Sequence, residues 1–282
     1  MKTLITTAAI AALLPVASSF AADVSQSTNG GTVTYTFDGF TGEGFTSGGG
    51  GGLLNSDDII VRGVSGSTSS SGGSGTVGGG SGTTPTSGDF DFGETRDEGG
   101  FARESGGTGN GTMGGGVYSF NVGGDTLLGI QPDADNFTPG SFIFRFRNSD
   151  AADIVSVSLD SDLYVNNRSN SSTTLDVYVT TDGSTFAREG DLATYSSPVP
   201  ADLMGSGLTQ TTDLTGSTSL SVGNGGFFYV VVAVNGAEGM TNDELALGDF
   251  SISAEFDAAP VPEPLAAGAA GLLGLVALRR RR

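Results

Sequence analysis

The sequence predicts an all-β fold: an antiparallel β-sandwich, jelly-roll-like, with Gly/Ser-rich disordered insertions. Three observations carry this. Apolar and polar residues alternate with a period of two in five separate segments, the spacing of a strand with one buried face. One further run, Phe227 to Val234, reads FFYVVVAV between glycines. Its Val and aromatic content and its flanks make it a central strand covered on both faces rather than a helix. No 3.6-residue periodicity competes anywhere between the two ends. Roughly ten to twelve short strands joined by polar turns close most simply as a jelly roll. Phe, Leu, Ile and Val make up about 24% of the chain, above the roughly 20% below which a highly charged chain stays disordered.

In chain order, residues 1–22 read as a secretory signal peptide with a short apolar helix. Lys2 is the positive start, Leu4 to Val16 the apolar stretch, and Ser19-Phe20-Ala21 the small-residue cleavage region. Signal peptidase is expected to cut after Ala21 or Ala22. The first alternating strand holds Val33, Tyr35 and Phe37 on its inner face. Residues 65–88 are almost wholly Gly, Ser and Thr. They lack the apolar area to offset ordering entropy, so they are read as a flexible insertion inside one domain spanning residues 23–258. Residues 31–62 hold too few strands for a domain of their own.

The next inner faces are Phe142, Phe144 and Phe146; Val155, Val157 and Leu159; and Leu175, Val177 and Val179. Thr181-Asp182-Gly183-Ser184 reads as a hairpin turn, because Asp-Gly tolerates positive φ. The last strand places Phe250, Ile252, Ala254 and Phe256 inward.

Residues 259–282 form a separate C-terminal unit. Ala258 to Pro264 is punctuated by three prolines, through which neither helix nor strand continues. Residues 265–278 follow, uncharged and rich in Leu, Ala and Gly, and then Arg279, Arg280, Arg281 and Arg282. Fourteen residues make about 21 Å of helix, short of a hydrocarbon core near 30 Å. The long arginine side chains extend the reach by snorkelling. This gives a C-terminal transmembrane helix with its basic end cytoplasmic and the body exported. The order Val261-Pro262-Glu263-Pro264, apolar stretch, basic tail closely resembles the PEP-CTERM sorting signal of exported bacterial proteins. That resemblance implies recognition of the Pro-Glu-Pro segment by an exosortase-type membrane transpeptidase, and a protein released or re-anchored at the cell surface or in exopolysaccharide. Residues 92–186 further resemble a β-sandwich region found in proteins with this tail. The resemblance rests on Gly114–Tyr118, Leu128–Pro132, Leu163–Asn167 and Thr181–Phe186, and implies no assigned activity.

Composition limits the chemistry. The chain has no Cys, no His and no Trp. Thiolate and imidazole mechanisms, and zinc sites built on those ligands, are excluded. Net charge is -19, but the only lysine and four arginines lie at the two ends. Between residues 23 and 258, seven arginines face thirty acids, a net charge of -23. Such a surface repels nucleic-acid phosphate and attracts divalent cations.

Calcium is therefore the cofactor the sequence allows, in a structural role, with oxygen ligands. The candidate ligands are Asp243, Glu244 and Asp249, and Asp133 and Asp135. The segment NDELALGDF resembles the acidic end-strand of jelly-roll carbohydrate-binding modules that hold a structural calcium. The same acids read more simply as turn residues solvating loop ends. Extracellular polysaccharide is the candidate ligand, with Tyr118, Tyr164, Tyr178 and Tyr195 as aromatic platforms and Asn166, Asn167 and Arg168 as polar partners. Paired carboxylates could hydrolyse glycosides, but with 31 acids a pair arises by chance. The expected function is that of an exported, non-enzymatic surface or exopolysaccharide-associated protein. The alternative is a calcium-dependent carbohydrate-binding module.

Overall fold

In a computed structural model, the protein is described at residues 22–26, 30–42, 45–46, 51–55, 57–62, 101–107, 116–132, 137, 139–167, 172–198, 207–236 and 243–257. The signal segment up to Ala21, the 65–88 insertion, Asp133, Asp135, Arg168, the sorting segment and the 265–278 helix lie outside these residues. Among the described residues, no helix is long and apolar enough to cross a membrane.

The architecture is all-β, with two sheets packed face to face. The first sheet takes the order β1 (Ala22–Val24), β9 (Gly140–Asn148), β14 (Phe227–Asn235), β11 (Thr174–Thr180), β12 (Gly190–Ser196), and β5 (Ile59–Arg62) also pairs with β9. The second takes the order β13 (Thr209–Val222), β10 (Ile154–Asn166), β15 (Glu244–Phe256), β8 (Asp125–Gln131), β7 (Gly116–Val122), β6 (Phe101–Gly107), and β2 (Thr32–Tyr35) also pairs with β15. β3 (Phe45–Thr46) and β4 (Leu54–Asn55) form a small separate pair. From β8 onward, consecutive strands alternate between the sheets except at the β11–β12 hairpin. Most pairs are antiparallel, but β1–β9, β3–β4 and β6–β7 are parallel, which the expectation of a purely antiparallel sandwich missed.

The alternation that predicted the strands also builds the core. Phe142, Phe144, Phe146, Leu175, Val177, Val179, Phe250 and Ile252 are all buried between the sheets. Phe144 stacks on Phe250 across them, with ring centroids 4.5 Å apart. FFYVVVAV is the central β14, buried on both faces as expected.

Three local expectations are corrected. β9 has not one buried face but two: Ile143 packs with Ile60, Phe186, Tyr229 and Val231, and Arg145 is fully buried beside the Phe227 ring. Val155 is exposed, because a register shift between Ile154 and Ser156 turns it outward and gives its inward place to Ile154. β11 and β12 do form a hairpin, but their connection runs from Thr181 to Glu189, and its positive φ falls at Phe186 rather than at Gly183. Asp182 organises it, accepting from the backbone N–H groups of Ser184 and Thr185.

At one edge the sheets nearly touch. A Cβ on Gly216 of β13 would lie 1.7 Å from the Leu192 carbonyl oxygen of β12, and one on Gly190 would lie 2.4 Å from Thr218 Oγ1. These glycines let β12 and β13 close the sandwich along a seam.

Candidate functional site

That seam opens at one end into a cleft of about 170 Å³, lined by Val165, Asn166, Asn167, Tyr195, Pro198, Thr209 and Thr211. The ladder fixes its members. β10 ends as Val165 pairs with Thr209 and Asn166 with Glu244. On the facing sheet Thr174 pairs with Ser196, which carries Tyr195 to the same end. Ser197 locks that corner: its Oγ accepts from Thr173 N–H at 2.8 Å, and its carbonyl accepts from Ser172 Oγ at 2.8 Å.

Two buried acids lie behind the lining residues. Asp243 and Glu244 are fully buried. In the amide orientation that satisfies both groups, Asn167 donates to Asp243 Oδ2 and to the Pro198 carbonyl, each at 3.2 Å. Thr173 Oγ1 donates to the Asp243 carbonyl at 3.1 Å. The Tyr195 hydroxyl is buried with no hydrogen-bond partner among the described residues. Burial, and then the charge of Asp243, hold its pKa above the ordinary phenol value. The hydroxyls of Thr209 and Thr211 turn to backbone carbonyls, those of Val165 and Thr209.

The structure thus brings together Tyr195, Asn166 and Asn167 from the sequence-derived polar and aromatic set, with Asp243 and Glu244 behind them. It does not bring Asp249 there. Asp249 follows a bulge at Gly248 and is exposed on the outer face of the second sheet, beside Asp162 and Tyr164. Five strand residues, about 17 Å, separate it from Glu244. Among the described residues no group of three or more carboxylates is placed to hold a metal ion. Tyr118 is buried against Phe120, and Tyr178 lies under Arg188. Pro198, Thr209 and Thr211 were not anticipated. They are ordinary turn and strand residues in sequence, and only the closing of the seam makes them neighbours.

A second feature is the outer face of the first sheet, which gathers four of the body's seven arginines. Arg62 lies over Phe186 at 4.7 Å, Arg188 over Tyr178 at 4.7 Å and Arg145 over Phe227 at 5.6 Å. Arg188 pairs with Asp176 and Asp191, and Arg147 with Asp23. Arg145 donates to the Asp57 carbonyl. Two of these four arginines, Arg147 and Arg188, are thus paired with carboxylates of the same sheet.

No protein-family model matches the chain, and no curated protein matches it in sequence. Among solved structures, the chain is similar to the xylan-binding module CBM15, at 11% identity over 53% of this chain and 89% of that one, with a TM-score of 0.30. It is also similar to the K3 cleaved adhesin domain of Lys-gingipain from Porphyromonas gingivalis, at 12% identity over 47% and 77%, with a TM-score of 0.29. A third is TmCBM61 in complex with β-1,4-galactotriose, at 15% identity over 47% and 72%, with a TM-score of 0.23. At these scores the likenesses carry no argument about ligand or role.

Proposed function

We propose that the chain is an exported, non-enzymatic protein of the cell surface or exopolysaccharide, sorted through its C-terminal signal. The observation that carries this is the tail. Val261-Pro262-Glu263-Pro264, an uncharged apolar stretch and four arginines stand directly after the last strand of the body. Export supplies signal peptidase as a first partner. Ala22 pairs with Phe146 in β1, which favours cleavage after Ala21 over cleavage after Ala22. The alternation of β8 to β15 between the sheets supports the jelly-roll-like form of the body. The test is mass spectrometry of surface and extracellular material. Peptides ending near Pro264 support exosortase processing. Mature protein that still carries Arg279 to Arg282 removes it and leaves simple membrane anchoring.

A second reading is binding of extracellular polysaccharide in the cleft. Its support is the convergence of Tyr195, Asn166 and Asn167 at one opening, a hydroxyl, two amides and one aromatic ring being the groups that meet sugar hydroxyls. Retention on neutral and uronic-acid glycans, measured in calcium and again in chelator, tests both the binding and its calcium dependence. No retention in either condition removes this reading.

A further inference from the structure

The two ends of the sandwich differ, and the chain termini of the body converge on one of them. β10 spans thirteen residues from Ile154 to Asn166, roughly 40 Å. At the Ile154 end, Ile154 pairs with Val222 and with Phe256, the last strand residue. Asp257 N–H donates to the Asp153 carbonyl, and Ser149 N–H donates to the Val24 carbonyl, three residues into the described chain. Asn148 ties this pole together, donating through its side chain to the Ala152 and Val222 carbonyls at 2.9 Å. At the other end, Asn166 pairs with Glu244 and Val165 with Thr209, and here the cleft opens. The chain therefore leaves the body at the pole opposite the cleft.

We propose that the body stands upright on the membrane, with the Asn148–Asp153 pole inward and the cleft as the outermost point. The cleft then meets polysaccharide of the surrounding matrix and not the lipid surface. This rests on the reading of residues 265–278 as an anchor. The seven residues 258–264 reach at most about 25 Å, less than the length of the body, so the Phe256 pole is held close to the bilayer. Charge then selects the tilt. The outer face of the second sheet exposes Asp160, Asp213, Asp249 and Glu255. Laying that face within a Debye length of an anionic leaflet is unfavourable. A body of net charge -23 tethered at one pole lowers that repulsion by pointing the other pole away.

A chain without cysteine makes the test direct. Asp257→Cys at the inner pole and Ser196→Cys beside the cleft, both at exposed positions, are labelled singly with a donor dye. The full-length protein is placed in phosphatidylcholine–phosphatidylglycerol vesicles carrying an acceptor lipid. The expected result is energy transfer at least several-fold stronger from position 257 than from position 196. Equal transfer, or stronger transfer from 196, overturns the upright arrangement while protein that floats with the vesicles keeps the anchor reading. Protein that does not float removes the anchor reading and this proposal with it.

Discussion

Asp162 and Asp213 face each other directly across the β10–β13 ladder, and the Gln210 amide donates to both carboxylates, at 2.8 and 3.1 Å. Like charges directly opposite on antiparallel strands are destabilising. Burial first, and then Asp213, raise the Asp162 pKa. The folded state thus holds this proton more tightly than the unfolded chain does. Stability from this site is present at acid pH and is lost as pH rises through the raised folded value. Asp213→Asn is expected to stabilise the protein by about 0.5 kcal/mol at neutral pH, more at low salt than at high salt. Urea denaturation at pH 7 and at pH 3 checks this: the gain should vanish at pH 3, and an equal gain at both would make the effect one of packing.

Asp58 poses a larger problem of the same sign. It is buried, and its Oδ2 accepts from Asn55 Nδ2 at 2.6 Å. Burial raises its pKa to about 7, against the lowering influence of the Asn55 hydrogen bond and of Arg145, with Asp57 and Asp23 adding to the rise. The Tyr35 phenol beside it is raised too, by burial first and then by Asp58. Because the folded pKa exceeds the unfolded one, stability falls as pH climbs from about 4 to 7, by up to the order of 4 kcal/mol. Asp58→Asn should flatten this slope. Melting temperatures at pH 5 and pH 8 give the test. A wild-type protein as stable at pH 8 as at pH 5 would sink the assignment.

How far the sequence carried these sites follows from what period-two alternation encodes. Alternation reports which side chains share a face, so Phe142, Phe144 and Phe146 and the central β14 were legible. It is silent on what covers the other face. Ile143 and Arg145 looked half-exposed because nothing local signals that Phe186, some forty residues away, packs on Ile143, or that the Phe227 ring lies against Arg145. Alternation also fails at bulges, where one extra residue flips the pattern, as at Val155 and at Gly248–Asp249. For the same reason NDELALGDF looked like one acidic cluster in sequence, yet its acids end up in two places. Tyr195, Asn166 and Asn167 could be singled out as residue types, but their meeting depends on a seam set by Gly216 and Gly190, two among 48 glycines.

Gly216 is therefore a strong test of the seam. A methyl group there would meet backbone, the Leu192 carbonyl oxygen, rather than a side chain able to move aside. Gly216→Ala is expected to cost about 1–3 kcal/mol by overpacking and to widen the cleft. Gly225→Ala, at a turn glycine with φ +73° and open space around it, provides the comparison. It carries only the penalty of a left-handed backbone, about 1–2 kcal/mol. Thermal melts rank the two, and the cleft arm separates them further, since Gly216→Ala should weaken any glycan retention and Gly225→Ala should not. Equal loss of stability with retention intact in both would mean that the seam does not shape the cleft.

The Tyr195 hydroxyl distinguishes a binding cleft from a mere gap between strands. It is buried and makes no hydrogen bond among the described residues. Removing a buried hydroxyl that has no partner leaves nothing unsatisfied and is close to neutral, or slightly stabilising. Tyr195→Phe should therefore keep the unfolding free energy within about 0.5 kcal/mol of wild type. Asn167→Ala should not, because it strips the donor from the buried Asp243 carboxylate and from the Pro198 carbonyl, at about 1–3 kcal/mol. If the cleft binds polysaccharide, a shift that uncovers the phenol makes it the free donor that a sugar hydroxyl meets. Tyr195→Phe should then lower retention on that glycan several-fold at unchanged stability. Affinity electrophoresis of both variants reads this directly. Retention unchanged in Tyr195→Phe and lost only in the less stable Asn167→Ala would assign these groups to holding the end of the sandwich together, not to recognising a ligand.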